Sequence, residues 1–440
     1  MSAGRGGGLR LVLVLAVVIR LALLAGNFSD HPDFFFQDLN SVEANLSSTE
    51  NPYMNPFGFE ASNIAYALVC GNQGLASPFG GSTGPTAWIA PGVVALYALS
   101  FSLWGCFTFE SILFVFFIAL GCSVVTTIVV FRIGSRIGRD TRVGLLAALF
   151  FACLPFEAWI FKISGHLDFN LQVMWFAVLL LGVLVAADSE NPHAGLGLGS
   201  LAAVAALFNP VFFACAAVGA AFAIRGKSLR DAARFVAQFA AACAVIAGPY
   251  VVVQSIRLGG FVAVKSNAGF ELFLGNTPEA RGLFKDEAFR AHHPSQNVDE
   301  FKTYDEFGEF AYVEEARRRF EDSFRPLTFF KYTVRRTFYF LFGYDAKPWD
   351  HSSVASAIKA ALWTVPMMSV LALLAIRRGR LQSAEILVLL YTLAFALPYL
   401  LTGVMERHRI PVVTTAAVAL ALVTQELKIA WHRSRRGRPA

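Results

Sequence analysis

SILFVFFIALGCSVVTTIVVFRIGSRIGRDTR, residues 111–142, sets the fold class. No charge interrupts it from Ser111 to Phe131, and then Arg132, Arg136, Arg139 and Arg142 follow in quick succession. An apolar run of about 20 residues crosses a bilayer as a helix. Arginines at its end mark the side on which it stops. The run is continuous rather than alternating, which argues against a transmembrane β-barrel. The whole chain repeats this composition: of 440 residues 56% are hydrophobic and 15% charged, and the mean hydropathy is +0.54. Soluble chains carry about 25% charged residues, so too few charges remain to cover a soluble surface. The chain is also far too apolar for disorder. It reads as an all-α polytopic membrane protein. Its net charge of +6 is modest. No basic stretch interleaved with stacking aromatics stands out, so nucleic acid is not an expected partner.

Working outward, the first apolar run covers Leu11 to Ala25, after Arg5 and Arg10. Arg20 interrupts it and no A-x-A site follows, so it reads as an uncleaved span. Later runs lie near 108–131, 143–161, 169–187, 195–208, 210–224, 232–255, 354–376, 382–402 and 409–427. Residues 87–105 could span or lie flat, and 195–224 could be one helix or a hairpin broken at Asn209-Pro210. The positive-inside rule decides both. With 87–105 flat and 195–224 a hairpin, the N-terminus, the Arg132–Arg142, Arg225–Arg234 and Arg377–Arg380 clusters and the tail Arg433–Arg438 all share one side. The expectation is ten spans with both termini cytoplasmic. Two long segments, 27–107 and 256–353, then face outward. The chain divides into 1–255 with the first outer loop, a cap over 256–353, and 354–440. Long ordered loops are usually functional, and the inner loops are too short to hold a site. Function belongs on the outer face. Cys70 and Cys106 both fall in the first outer loop, which leaves a disulfide open. The other four cysteines sit in apolar runs, as buried small hydrophobes do.

Within the first outer loop, EASNIAYALVCGNQG places Ala61, Ile64, Ala65 and Leu68 at helical spacing, with Glu60 in the first turn. A helix N-terminus stabilises an ionised carboxylate. Glu60 is therefore a candidate general base or simply a complement to the helix dipole. SPFGGSTGPTAWIAP follows, and a second surface helix starts at Pro91. Val94, Leu96, Tyr97, Phe101 and Trp104 suit a helix lying in the membrane interface.

This order resembles the first outer loop of the GT-C membrane glycosyltransferases, which include the protein O-mannosyltransferase-like and aminoarabinose-transferase-like families. The stretch GFEASNIAYAL…SPFGG…TGPTAW resembles a bacterial subgroup of them. The resemblance implies transfer of a sugar from a polyprenyl-phosphate donor on the non-cytoplasmic side, with Glu60 as the acid of this helix. Many relatives have an Asp-Glu pair there, whereas here Phe59 takes the first position. The resemblance is also carried by GFVAVKSNAGFELFLGN, residues 260–276, where Lys265, Asn267, Glu271 and Asn276 hold matching positions, and further on by His293-Pro294, Glu300 and Gly308-Glu309. Residues 309–324 read as a solvated helix. Residues 328–342 look interfacial, with Arg335 and Arg336 among aromatics. A folded cap is the plain reading for most charges of this loop.

In the last outer loop, Glu406-Arg407-His408-Arg409-Ile410-Pro411 puts two arginines in an outward turn, against the positive-inside tendency. Arginine binds phosphate oxygens bidentately. Arg407 and Arg409, with His408 and Lys265, are expected to hold the lipid phosphate, the alternative for the arginines being an interfacial anchor. Lys162, His166 and Asp168, between the third and fourth spans, are candidates for the same cavity or a solvated turn. Arg20 could neutralise the phosphate or pair inside the bundle. His292-His293 lacks a third ligand, so no metal and no other cofactor is expected.

The expected activity is inverting transfer of a hexosyl or pentosyl group from a polyprenyl-phosphate sugar to an acceptor hydroxyl on a glycolipid, polysaccharide or protein. The alternative is a transporter or flippase for a lipid-linked sugar. That reading wants ionisable residues near the midplane and repeated halves, whereas the spans read as nearly free of acids and show no repeat. A non-catalytic assembly subunit is a further alternative. The Ala/Arg-rich composition points to a bacterial plasma membrane. The N-x-S sequons at Asn27 and Asn45 leave that source open.

Overall fold

The computed structural model describes residues 3–48, 50–343, 354–377 and 379–436. Arg378, Arg438 and the end of the second outer loop lie outside them, as does the side chain of Asn27. Among the described residues there is no strand, and the chain is an all-α polytopic membrane protein.

Seven helices are long and apolar enough to cross a membrane: Gly7–Asp30, Phe109–Gly138, Thr141–Lys162, Asp168–Ala187, Leu229–Leu258, Ser383–Leu401 and Glu406–Arg435. Shorter apolar helices are Pro91–Trp104, Ala194–Ala206, Val211–Ala223 and Thr364–Arg377. At 1.5 Å per residue the Ala194–Ala206 and Val211–Ala223 helices are each only about 20 Å long. They are the two arms of the hairpin read at 195–224, broken at Asn209-Pro210. Gly195 and Gly199 explain how the short Ala194–Ala206 arm is held. A side chain at either would run into the backbone carbonyl of Phe235 or Phe239, so the helix lies directly on Leu229–Leu258.

Arg136 pairs with Asp188 at 2.7 Å, Lys227 Nζ donates to the Ser189 carbonyl, and Arg377 bridges Glu385 and Glu426. Lys162 pairs with Asp30, and Asn209 donates to Tyr399.

The third span is not continuous. Helix Thr141–Ala152 stops, and Phe156–Ser164 begins after Pro155, which cannot donate a helical hydrogen bond. The break releases the Phe151 and Ala152 carbonyls, and Arg20 donates to both. Arg20 also meets Glu157 at 2.7 Å, with both side chains about 1% exposed, and Ser123 Oγ donates to the same carboxylate. Arg20 thus belongs to the bundle interior and not to a phosphate site. The spans also hold an acid, Glu157, that a reading of them as nearly acid-free overlooks.

The first outer loop forms helices Pro32–Phe35, Leu39–Ser47, Phe59–Val69 and Pro91–Trp104. Cys70 and Cys106 are bridged, tying the ends of the last two together. Val94, Tyr97 and Phe101 turn inward, while Leu99, Leu103 and Trp104 are exposed. Of the other cysteines Cys122 and Cys215 are buried, but Cys153 is exposed at the helix break.

The described part of the second outer loop is a helical cap. Phe270, Leu274, Phe301, Tyr304, Tyr312, Val313 and Ala316 make a core that includes Phe79 and Trp88 of the first loop. Arg336 fastens the cap to the bundle. It is fully buried and donates to the Gly275, Gly282 and Leu401 carbonyls and to Asn276 Oδ1. It is therefore not an interfacial arginine.

Candidate active site

Glu60 owes its position to backbone geometry. Gly58 has φ 82° and caps the Phe59–Val69 helix, and a Cβ there would stand 2.8 Å from the Tyr97 ring. Phe59 follows with φ 50°, which is costly for a bulky residue. Strain of this kind persists where surroundings over-determine it, often at functional sites. Here Phe59 stacks on the His166 ring at 4.2 Å. The Tyr97 hydroxyl donates to the Gly165 carbonyl and accepts from the Leu167 amide. That pins the turn before Asp168 beside the turn before Glu60.

The two acids face a cavity of about 460 Å³ lined by residues from both outer loops, the fourth span and the last turn. Glu60 is partly exposed to the cavity and forms no ion pair among the described residues. Burial pushes its pKa above the ordinary value of 4.5, opposed by the nearby charges of Arg407 and Lys265. Asp168 Oδ1 has no hydrogen-bond partner in the structure. Asp168 brings a second carboxylate to the same cavity from a different element. It lies on the cavity wall and not in a solvated turn.

Arg407, Lys265, Asn267, Glu271, His166 and His408 line the same space. Arg407 rests its guanidinium over the Phe169 ring at 5.2 Å, and its Nε makes no hydrogen bond. Lys265 is 3.3 Å from Glu271. His408 stacks on Tyr399 at 4.3 Å, and its Nδ1 accepts from the Met405 amide. His293 also lines the cavity. It is 5% exposed among Phe79, Trp88 and Phe270, and burial lowers its pKa to about 3, which makes it a neutral imidazole. Its neighbour His292 meets Glu279 instead.

Three expected residues lie elsewhere. Arg409 is fully buried and donates to the Leu341 carbonyl. Glu406–Val412 is a 3₁₀ segment, and its three-residue turn points positions 407 and 409 in different directions. Lys162 turns away to Asp30. Asn276 is engaged by Arg336. Conversely, Gln172, Tyr399 and Trp88 also line the cavity, and Asn209, which the sequence marks only as the hairpin break, joins them. Gln172 was open to detection, since it follows Asp168 by one helical turn.

Glu309 bridges the loops. It is 2% exposed and accepts from Thr86 Oγ1, the Ala87 amide and the Tyr304 hydroxyl. Burial raises its pKa, and these hydrogen bonds oppose the rise. Thr86 Oγ1 in turn accepts from the amide of Trp88, a cavity residue.

No protein-family profile and no curated protein matches the sequence. Solved structures do match. The archaeal oligosaccharyltransferase AglB from Archaeoglobus fulgidus, in complex with an inhibitory peptide and a dolichol-phosphate, is 15% identical with a TM-score of 0.53. That match covers 98% of this chain and 52% of the archaeal one. The fold is that of the GT-C glycosyltransferases. The Archaeoglobus enzyme in complex with Zn and sulfate matches at 14% identity and TM-score 0.51, over 96% of this chain and 49% of that one. The chain thus spans about half the length of these neighbours. The zinc complex corrects the expectation that no metal is involved, since a protein of this fold has been solved with one.

Proposed function

We propose that the protein is a glycosyltransferase that moves a hexosyl or pentosyl group from a polyprenyl-phosphate donor to an acceptor hydroxyl. One observation carries this reading: on a GT-C fold, an unpaired carboxylate, Glu60, shares a cavity with Arg407. The acceptor oxygen attacks the anomeric carbon while the bond from that carbon to the phosphate oxygen breaks, inverting the centre. An alcohol is a poor nucleophile near neutral pH, so Glu60 takes its proton as the new bond forms. A carboxylate with a raised pKa is the stronger base for this step. The leaving phosphate gains charge, and Arg407 is positioned to stabilise it with Lys265 and His408 nearby. Asp168 and Asn267 orient the reacting groups. A lipid phosphate ligand fits the dolichol-phosphate complex of the archaeal neighbour. The finer family, protein O-mannosyltransferase-like or aminoarabinose-transferase-like and bacterial, is part of this proposal.

Orientation follows the same reading: loops and site on the non-cytoplasmic side of a plasma membrane, termini in the cytoplasm. The Cys70–Cys106 bridge supports it, because disulfides persist in oxidising compartments. For a metal, the donor set is the test. Among the described residues no three His, Cys, Asp or Glu side chains come together as a metal-holding group. Glu60 and Asp168 alone fall short of a protein-only site.

The test is transfer by purified protein in lipid, with radiolabelled polyprenyl-phosphate monosaccharides and a Glu60→Gln control. Consumption of donor by wild type but not by the variant is the expected result. Donor crossing liposomes without turnover would replace this reading with a flippase.

A further inference from the structure

The transfer chemistry uses one part of the cavity wall and leaves another part unexplained. Gln172 lies one turn beyond Asp168 on the same face of the Asp168–Ala187 helix, about 6 Å deeper by helical rise. It lines the cavity, is 7% exposed, and its Oε1 has no hydrogen-bond partner in the structure. An unsatisfied buried acceptor is costly, and folded proteins seldom keep one without a use.

The neighbouring wall shows what would satisfy it. Asn209 Oδ1 accepts from the Val211 amide, and Asn209 Nδ2 donates to the Tyr399 hydroxyl. Tyr399, having accepted there, keeps its own O–H to donate. Val211 and Ala214 complete this stretch, and the cavity residues contributed here carry no charge. A ligand that satisfies both groups offers a hydrogen to an amide oxygen and accepts one from a phenol. Ring hydroxyls of a neutral sugar do both.

We propose that Gln172 is the specificity-determining residue for the donor sugar. Its Oε1 accepts from one ring hydroxyl, and the Tyr399 hydroxyl donates to a neighbouring one. This rests on the reading of the cavity as a lipid-phosphate sugar site, and it narrows that reading to a hexosyl or pentosyl group that offers such hydroxyls. A site built to hydrogen-bond a hydroxyl discriminates against the analogue that lacks it.

Binding of short-chain polyprenyl phosphate and of its mannosyl, glucosyl, galactosyl and arabinosyl esters, compared between wild type and Gln172→Met, tests it. Methionine keeps the length and apolar packing of glutamine without its amide. Bare polyprenyl phosphate should bind both proteins equally. The preferred sugar ester should bind the variant about tenfold more weakly, as expected for one buried hydrogen bond. A deoxy ester lacking the contacted hydroxyl should bind both proteins alike, a readout that general loss of folding would not give. If Gln172→Met weakens bare phosphate as much as the ester, or weakens neither, the role of Gln172 is overturned. If wild type binds no lipid phosphate and no ester at all, the parent reading fails instead.

Discussion

Arg20 with Glu157, and Arg407 with Glu60, are the same residue types withdrawn from bulk water in the same protein, yet they are finished differently. Arg20 gives its hydrogens to Glu157 and to carbonyls freed by a helix break, and Ser123 adds to the same carboxylate. Glu60 and Arg407 border open space instead, and Arg407 Nε and Asp168 Oδ1 are left without partners. The Arg20–Glu157 pair is fully buried in the bundle, so although Glu157 Oε2 lacks a partner, the pair is closed to a ligand. A set of charges held near one another but unpaired stays open to one, at a cost in stability that active sites commonly carry.

The sharpest way to break the contrast is Glu60→Gln. Transfer should fall by about 10² to 10⁴-fold, the usual contribution of a general base. The thermal midpoint should stay or rise, because the change removes a desolvated charge. Near-normal turnover would take Glu60 out of the chemistry. Wild-type activity needs the ionised carboxylate, so it should fall as pH drops through the pKa of Glu60. Since that pKa is raised, the acid limb should lie above the range of a solvated glutamate.

Arg20→Met should do the reverse. Removing one partner of a buried pair costs about 3–5 kcal/mol, and the loss should appear as thermal unfolding in detergent. Activity per folded molecule should hardly change. Replacing Glu157 as well, in Arg20→Met/Glu157→Gln, should recover part of the loss. A double variant no more stable than the single would mean that Arg20 acts mainly through the Phe151 and Ala152 carbonyls.

Arg407→Gln comes next. Loss of one positioned donor to developing charge costs about 10² to 10³-fold in rate. The variant should also move the acid limb to still higher pH, because Arg407 opposes the rise in the pKa of Glu60. A rate loss with an unmoved limb would separate Arg407 from Glu60.

The contrast also explains how much was legible in the sequence. The apolar runs and the alternating arginine clusters specify the helices, the hairpin break at Asn209-Pro210 and a shared face for the long loops. Bilayer thickness and loop charge act locally along the chain, so they can be read locally. Glu60, Asp168, Lys265, Asn267, Glu271 and Arg407 were likewise found as outward polar residues and do line the cavity. What escaped depends on partners far apart in sequence. Arg20 meets a carboxylate 137 positions away. Lys162 and Asn276 are claimed by Asp30 and Arg336. Arg409 is turned aside by a 3₁₀ segment that its sequence does not announce. Each outward polar residue has two destinies, partnered or open, and only the fold chooses between them.

Glu309 falls between the two cases and gives the smallest effect. It is as buried as Glu157 and has donors on both oxygens where Glu157 has them on one, but it joins the outer loops and supports the segment that carries Trp88. Its raised pKa means that the folded state holds the proton more tightly than the unfolded one. Its contribution to stability therefore declines as pH rises through the window between the ordinary glutamate value and the raised one. Glu309→Gln keeps one acceptor and cannot ionise, so the variant should lose this pH dependence. It should also cost about 1 kcal/mol, the lower end for a disturbed buried hydrogen-bond set. Amide exchange at Ala87 should accelerate by about fivefold, which is that free energy read locally, and donor KM should rise a few-fold with kcat nearly unchanged. Unaltered Ala87 protection would mean that the aromatic cap core alone holds the two loops together. In that case the carboxylate is a passenger there, and Glu309 belongs with neither the paired nor the open set.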